Sequence, residues 1–183
     1  IGTKDMLLLS VADKSREGTW KLVFRALRRL VSKRVPAFLV VAGVKGVSFP
    51  EKLADRFGIA KHVKVVGQVS DRIPLYAAAD ALLAPAFYAP SDVAVLEAAA
   101  CGLPSITTRE NGVSELLTDG TDGYVLERHS AKDLAGLMEL FGDAACCERM
   151  GRAARRTAMK CTLDRTVDKI VQIYEEVAEG RGE

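Results

Sequence analysis

Short runs of apolar residues recur along the chain, separated by stretches in which apolar residues return every three or four positions. Six of the runs are short and largely apolar, with apolar residues on both faces, which predicts strands that are buried on both sides. These predicted strands cover residues 7–11, 37–42, 63–66, 81–84, 104–107 and 123–126. Strands of this kind, joined by helices, are typical of a parallel sheet with helices on both faces.

The stretches between and after these runs predict helices. In the first of them, Trp20, Phe24, Leu27 and Val31 fall on one helical face. Helices are expected over residues 20–31, 51–57, 71–79, 93–100, 113–117, 131–141, 146–160 and 163–178. The sequence therefore predicts one α/β domain over residues 1–183, a doubly wound, Rossmann-like parallel sheet with a helical C-terminal tail. Because a strand pattern begins almost at once, we expect this domain to be cut from a longer protein.

The charge and cysteine content argue against several kinds of partner and binding site. Twenty-six basic and 24 acidic residues give a formal charge of +2, too balanced to indicate a nucleic-acid or anionic-membrane surface. No apolar run reaches the roughly 20 residues of a membrane-spanning helix. The four cysteines form no C-x-x-C pair and lie far in sequence from both histidines, so neither a zinc site nor a disulfide framework is expected. We therefore expect reduced cysteines and a cytoplasmic protein.

The absence of several known motifs argues against further classes of enzyme. The sequence has no G-x-G-x-x-G after its first strand, no G-x-x-x-x-G-K-[ST] and no G-x-S-x-G. These absences argue against dinucleotide-dependent oxidoreductases, P-loop NTPases and α/β serine hydrolases. No two aspartates are two positions apart, so a D-x-D site for a metal and a diphosphate is not expected either. His62 and His129 are expected in solvated turns, which argues against a histidine base.

The segment 85–107, PAFYAPSDVAVLEAAACGLPSIT, carries the strongest chemical signal. Ligands of parallel sheets bind at the carboxyl ends of strands, and here a predicted strand is followed by a helix that Ser91 or Asp92 would cap. The amides of such a helix start attract anions. Glu97, about one turn in, is either a half-buried acceptor for hydroxyls such as a ribose diol, or a solvated glutamate at the helix edge. The residues alone leave both interpretations open.

Motifs along nearly the whole chain, residues 7–175, resemble the C-terminal half of retaining family-4 glycosyltransferases of the GT-B fold. The central matches are Asp80-Ala-Leu-Leu-Ala-Pro85 and Leu96-Glu-Ala-Ala-Ala-Cys-Gly-Leu-Pro104. The others, in the family's order, are Val65-Val-Gly67, Tyr76-Ala-Ala-Ala-Asp80, Asn111-Gly-Val-Ser-Glu115 and Leu117-Thr-Asp-Gly-Thr-Asp-Gly-Tyr124. Within the family the chain looks most like the lipopolysaccharide-core glucosyltransferases, because of Ala79-Asp-Ala-Leu-Leu and Pro85-Ala-Phe-Tyr88.

The resemblance implies two domains that bind different substrates. In GT-B enzymes the C-terminal domain binds the nucleotide-sugar donor, and the N-terminal domain binds the acceptor. This chain would then be the donor-binding domain, inactive without the N-terminal acceptor domain of the same protein. The implied reaction is hexosyl transfer to a saccharide or lipid-linked acceptor in lipopolysaccharide or polysaccharide biosynthesis. A UDP-sugar is the commonest donor, no metal or other cofactor is implied, and any membrane attachment would reside in the missing half.

The resemblance also assigns donor-binding residues. Glu97 matches the second acid of the family's E-x7-E motif, which holds the donor ribose. Arg16 matches the basic residue that neutralises the diphosphate, and Lys45 is the candidate for the second diphosphate cation. The other implied contacts are those of the base with Gly67, Gln68 and Val69, and those of the phosphate with the helix start at Asp92, Val93 and Ala94. Such cations and amides can stabilise charge on a departing diphosphate without a metal.

Three positions depart from the family pattern. Ala89 lies eight residues before Glu97, where the family has a glutamate that faces the donor sugar. Asp92 replaces a glycine near the diphosphate and Glu17 replaces a lysine, so both changes lower the positive field around an anionic donor. A non-catalytic binding or scaffolding module of the same fold is therefore the alternative to an enzyme. Nucleotide-sugar epimerisation is a third, less favoured reading.

Overall fold

The computed structural model describes residues 5–11 and 17–180. The strands are β1 (Met6–Val11), β2 (Ala37–Ala42), β3 (Val63–Val65), β4 (Ala81–Leu83), β5 (Ser105–Thr108) and β6 (Tyr124–Leu126). The helices are α1 (Glu17–Ser32), α2 (Ser48–Arg56), α3 (Ile73–Ala78), α4 (Val93–Ala100), α5 (Ala131–Leu140), α6 (Ala144–Ala158) and α7 (Leu163–Glu179). Short 3₁₀ turns cover Ala60–His62 and Gly112–Leu116.

The apolar pattern located the six strands and seven of the eight predicted helices to within three residues at each end. The eighth, the short helix predicted over 113–117, is present one residue earlier as the 3₁₀ helix Gly112–Leu116 and not as an α-helix. The side chain of Asn111 accepts a hydrogen bond from the Val113 amide at 3.1 Å, and the Asn111 carbonyl accepts one from the Ser114 amide at 2.8 Å. These contacts close a tight turn with i→i+3 bonding instead of an α-helix.

The six strands form one sheet in the order β3-β2-β1-β4-β5-β6, and every neighbouring pair is parallel. In the centre, Leu8 of β1 lies opposite Leu39 of β2 on one side and Ala81 of β4 on the other. The strand order therefore reverses between β1 and β4. Loops on the two sides of such a switch point leave a crevice at the carboxyl edge of the sheet.

Both faces of the sheet are covered, as the apolar strands require. Leu8 and its neighbours on one face pack against α1, α2 and α5 in a cluster that includes Val23, Leu27 and Met138. Leu9, the next residue, belongs to the cluster on the opposite face, which contains residues of α3 and α4. Adjacent leucines of one strand thus serve two cores, because side chains alternate across a strand. The doubly wound, Rossmann-like prediction is confirmed.

The C-terminal helices differ sharply in how far they are buried. Ala154 and Ala158 of α6 pack against Ala99 of α4. Helix α7 forms the predicted helical tail, but no residue in it is buried, and apolar side chains such as Ile170 and Tyr174 remain exposed. Within the described ranges no helix combines the length and the apolar character needed to cross a membrane. All four cysteines are free thiols.

A pair of helical glycines gives a stability test of the α6 packing. A Cβ on Gly151 of α6 would lie 2.0 Å from the Gly102 carbonyl oxygen, whereas one on Gly136 of α5 would meet no atom within 4 Å. We expect Gly151→Ala to lower the free energy of unfolding by about 2 kcal/mol through overpacking. Gly136→Ala should raise it by about 0.5–1 kcal/mol, because alanine loses less backbone entropy. Urea denaturation measures both, and effects of the same sign would contradict this packing.

Candidate functional site

Two loops at the carboxyl edge of the sheet are tied to each other by a backbone hydrogen bond. Gly43 follows β2 with a φ of 90°, and Gly67 follows β3 with a φ of 64°. Glycine adopts such left-handed conformations at no steric cost. The Gly43 amide donates to the Gly67 carbonyl at 2.6 Å. This bond brings Lys45 and the turn over residues 67–69 to the same part of the edge.

A cleft of about 500 Å³ opens between α3 and α4, next to that turn. It is lined by Ser70, Asp71, Arg72, Ile73, Tyr76, Glu97, Ala100 and Cys101. The Asp71 carboxylate accepts a hydrogen bond from the Ile73 amide at 2.9 Å and so fixes the first turn of α3. One wall of the cleft therefore comes from the β3–α3 connection, and the other comes from α4.

Glu97 is the carboxylate of this cleft, and two donors hold it in place. The Tyr76 hydroxyl donates to Glu97 Oε2 at 2.7 Å, and Arg72 Nη1 donates to the same oxygen at 3.1 Å. Oε1 has no hydrogen-bond partner within residues 5–11 and 17–180. The side chain is 40% exposed. Glu97 is thus neither a core residue nor a freely solvated one: one oxygen is fixed, and the other remains available to a ligand.

The two donors stay protonated across the neutral pH range. Burial, together with the hydrogen bond to Glu97, raises the pKa of Tyr76 well above its ordinary value. Although partial burial acts in the opposite direction, the hydrogen bond to Glu97 raises the pKa of Arg72. Both side chains therefore remain donors to the carboxylate, and the geometry of Glu97 does not change with pH near neutrality.

The residues assigned to the diphosphate are only partly within the described structure. Arg16 lies outside the described residues, as does the side chain of Glu17, whose backbone begins α1. Lys45 is exposed on the loop after β2 and makes no ion pair with any residue in the described ranges. Its ammonium group is therefore free to meet an anion at the carboxyl edge.

The turn assigned to the base offers backbone and apolar surface. Gln68 is exposed, and Val69 is half-buried against the core beneath α3 and α4. Gly67 is half-buried, and a Cβ there would still have 3.8 Å to the nearest atom, a methyl group of Val47. The turn leads directly into Ser70 at the wall of the cleft.

The start of α4 differs from the predicted cap. Asp92 occupies the N-cap position, but its side chain makes no capping hydrogen bond, which corrects the expectation of a capped helix. Instead the carboxylate is buried and accepts a hydrogen bond from Asn111 Nδ2 at 3.4 Å. Val93 is exposed and Ala94 is buried. The Asp92 side chain therefore does not satisfy the amides of the first turn of α4, although the Asp92 carbonyl accepts a hydrogen bond from the Val95 amide at 3.0 Å.

Ala89 occupies the position where the family has a glutamate, and main-chain hydrogen bonds fix it there. Its amide donates to the Glu110 carbonyl at 3.0 Å, and its carbonyl accepts from the Gly112 amide at 2.9 Å. A Cβ on Gly112 would lie 2.2 Å from the Pro90 carbonyl oxygen, so the two loops touch backbone to backbone. Ala89 is buried at 6% exposure and presents a methyl group where an acid was expected.

Two assignments from sequence reasoning are incomplete or wrong. Arg72 and Tyr76, which hold Glu97, were not among the candidate residues, although their spacing of four places both on one face of α3.

The expectation that His62 and His129 lie in solvated turns is wrong. The ring of His129 stacks on Phe87 at 4.1 Å with Nε2 3.0 Å from the Ala86 carbonyl, and His62 packs on Phe38. Tertiary packing leaves both rings only partly exposed to solvent.

A parallel sheet with a reversed strand order and a carboxylate cleft at its carboxyl edge defines a Rossmann-like ligand-binding domain. The chain belongs to the family described as "Glycosyl transferases group 1", whose model matches residues 1–157. A curated relative, the D-inositol 3-phosphate glycosyltransferase of Salinispora tropica, is 33% identical over 134 residues, which is 71% of this chain and 28% of that protein. The chain spans less than half the length of the first curated relatives that it matches.

Solved structures show the same fold. WaaG, a glycosyltransferase involved in lipopolysaccharide biosynthesis, is 29% identical with a TM-score of 0.76, over 90% of this chain and 45% of that chain. HepE from Anabaena, crystallised in complex with UDP-glucose, is 20% identical with a TM-score of 0.78, over 96% of this chain and 49% of that chain. These matches confirm the GT-B-type domain expected from the sequence motifs.

The hydrogen bond from Tyr76 to Glu97 can be tested by removing one oxygen atom. Tyr76→Phe keeps the buried ring and removes the donor, so we expect the free energy of unfolding to fall by about 1 kcal/mol, since water partly replaces the lost bond at the half-exposed carboxylate. Tyr174→Phe is the matched control, because Tyr174 is 70% exposed on α7. Urea denaturation compares the two, and equal effects would contradict a structural role for the Tyr76 hydroxyl.

Proposed function

We propose that this chain is the donor-binding domain of a retaining, metal-independent hexosyltransferase that takes its sugar from a nucleoside diphosphate sugar. The observation that carries the proposal is the position of Glu97. It lies in a cleft at the carboxyl edge of the sheet, with one oxygen fixed by Tyr76 and Arg72 and the other without a partner in the described ranges. A fixed carboxylate of this kind is suited to accept hydrogen bonds from the ribose diol of a nucleotide.

The groups around Glu97 could receive the rest of the donor. The turn of Gly67, Gln68 and Val69 adjoins the cleft and offers backbone atoms to the base. On the other side, the uncapped first turn of α4 offers the amides near Val93 and Ala94 to a phosphate. Lys45, and Arg16 by the family resemblance, would supply the cations. Together these groups would stabilise the charge that develops on the diphosphate when the anomeric bond breaks.

Similar proteins support the finer assignments. HepE was crystallised with UDP-glucose, which favours UDP as the nucleotide and glucose as the sugar. The involvement of WaaG in lipopolysaccharide biosynthesis favours a saccharide or lipid-linked acceptor and a place in lipopolysaccharide or polysaccharide biosynthesis. We assign acceptor binding to an N-terminal domain of the same protein. A cytoplasmic location agrees with four free thiols.

A specific observation favours a second candidate function. The family's first acid is replaced by Ala89, whose buried methyl group can neither accept a hydrogen bond from a sugar hydroxyl nor stabilise positive charge. A domain that keeps Glu97 and the cleft but lacks this acid could bind the donor without transferring the sugar. This alternative is a non-catalytic binding or scaffolding module.

The role of Glu97 predicts a loss of ribose recognition. Glu97→Gln keeps the shape of the side chain but removes the charge, so we expect UDP to bind about 10–100-fold more weakly. The loss should be far smaller for 2′,3′-dideoxy-UDP, which lacks the diol. Calorimetry measures both affinities, with Glu175→Gln on the exposed helix α7 as a control. Equal losses for the two nucleotides would overturn the ribose assignment. Ala89→Glu should change UDP affinity less than Glu97→Gln does.

Titration and turnover separate the two candidate functions. We expect one nucleoside diphosphate among UDP, GDP and ADP to bind by calorimetry with equal affinity in the presence and absence of Mg²⁺. Binding that requires Mg²⁺ would overturn the metal-independent proposal. Turnover is then measured in the longer protein that includes the acceptor domain. If that protein releases the nucleoside diphosphate from the corresponding nucleoside diphosphate glucose, the result supports the transferase function. Donor binding without turnover supports the non-catalytic module, and no binding in the longer protein refutes both.

A further inference from the structure

A second, shallow cavity of about 540 Å³ lies on helix α1 and is surrounded by cations. It is lined by Arg25, Arg28, Arg29, Ser32, Lys33, Phe57 and Ala131. The four basic residues of this set, Arg25, Arg28, Arg29 and Lys33, form what we call the α1 cationic face. Their spacing of three or four residues places them on one side of the helix, over about 12 Å of its length.

The sequence concentrates positive charge around this face. Between residues 18 and 50 it carries seven Lys or Arg and no Asp or Glu, although the whole chain has a formal charge of only +2. Lys33 is paired with Glu139 of α5, whereas Arg28 and Arg29 are exposed and form no ion pair within the described residues. Most of the positive charge of the face is therefore uncompensated and open to solvent.

The floor of the cavity is apolar. Ala131 contributes a methyl group, and Phe57 contributes its ring, over which the Arg25 guanidinium lies at 6.0 Å from the ring centre. The aliphatic stems of the arginines add to this surface, because long basic side chains keep only their ends polar. The face thus combines several cations at its rim with an apolar base.

The face is separate from the donor cleft. Helix α1 runs from the carboxyl end of β1 to the amino end of β2; Arg25, Arg28 and Arg29 occupy its second half, and Lys33 directly follows its last residue. They therefore lie toward the opposite edge of the sheet from Glu97. Helix α1 also covers the sheet face opposite to α3 and α4, which form the cleft. A ligand on this face would leave the donor cleft open.

We propose that the α1 cationic face binds the surface of a membrane that contains anionic phospholipids. Exposed cations along one side of a helix can meet several headgroup phosphates at once, and guanidinium groups pair with phosphate oxygens through two hydrogen bonds. The apolar floor between the cations fits the glycerol region below the headgroups. A soluble polyanion such as a nucleic acid would gain little from that apolar floor, so the combination favours a phospholipid surface.

Vesicle sedimentation with two matched double variants tests the proposal. R28Q/R29Q removes two cations from the face, and R155Q/R156Q removes an adjacent exposed pair from α6. The unchanged chain should sediment with vesicles of phosphatidylcholine and about one third phosphatidylglycerol, but not with phosphatidylcholine alone. Each cation near such a surface contributes about fivefold, so R28Q/R29Q should lower partitioning about 25-fold. R155Q/R156Q should lower it less than about threefold. The charge-retaining R28K/R29K should lose much less than R28Q/R29Q, because it gives up the paired hydrogen bonds but keeps both charges.

Several results would overturn the proposal. Equal losses in both glutamine variants would mean that net charge, and not this face, drives binding. Equal sedimentation with vesicles that lack the anionic lipid would mean that the charge is irrelevant. Displacement by millimolar inorganic phosphate, or stronger binding of a short oligonucleotide than of vesicles, would identify a soluble anion as the ligand. Absence of sedimentation of the unchanged chain would refute membrane binding outright, and thermal melting would verify that all variants are folded.

Discussion

The pairing of β1 with β2 on one side and with β4 on the other is the constraint on which the rest of the structure depends. Since the strands are parallel, the chain must cross to the opposite face after β3, and Leu8 and Leu9 must each serve a different core. The same reversal separates the loops at the carboxyl edge. Arg72 and Glu97 reach their common cleft from opposite sides of that reversal, one after β3 and the other after β4.

The distribution of charge matters more in this protein than its sum. A formal charge of +2 conceals a segment of 33 residues without any acid, whose cations lie largely on α1. The donor cleft, by contrast, is organised around an acid that two donors hold. Net charge measures neither feature, because opposite contributions from different surfaces cancel in the sum. The sequence-based argument against an anionic-membrane surface rested on that sum, and the position of each cation carries the information that the sum loses.

The fold was predictable because strands that are buried on both faces of the sheet are apolar on both faces. This pattern is visible in the sequence without knowledge of tertiary contacts. The 3₁₀ geometry of Gly112–Leu116 has a local cause, a capping contact from Asn111 that favours the tighter turn. The contacts of Glu97 had no such local signal. Tyr76 and Arg72 precede it by 21 and 25 residues, and only the strand order brings them together. Likewise, nothing near His129 in the sequence marks its stacking on Phe87, 42 residues earlier, because that contact joins two loops of the finished sheet.

The main-chain hydrogen bonds of the loop at Ala89 bear on how easily the residue at this position can change. The hydrogen bonds that fix this loop run between Ala89, Glu110 and Gly112 through main-chain atoms alone. These hydrogen bonds use no side-chain atom of residue 89. Two of the four alanine codons become glutamate codons by a single base change. Alanine and glutamate at position 89 are thus one base change apart, and the main-chain hydrogen bonds of the loop require neither side chain.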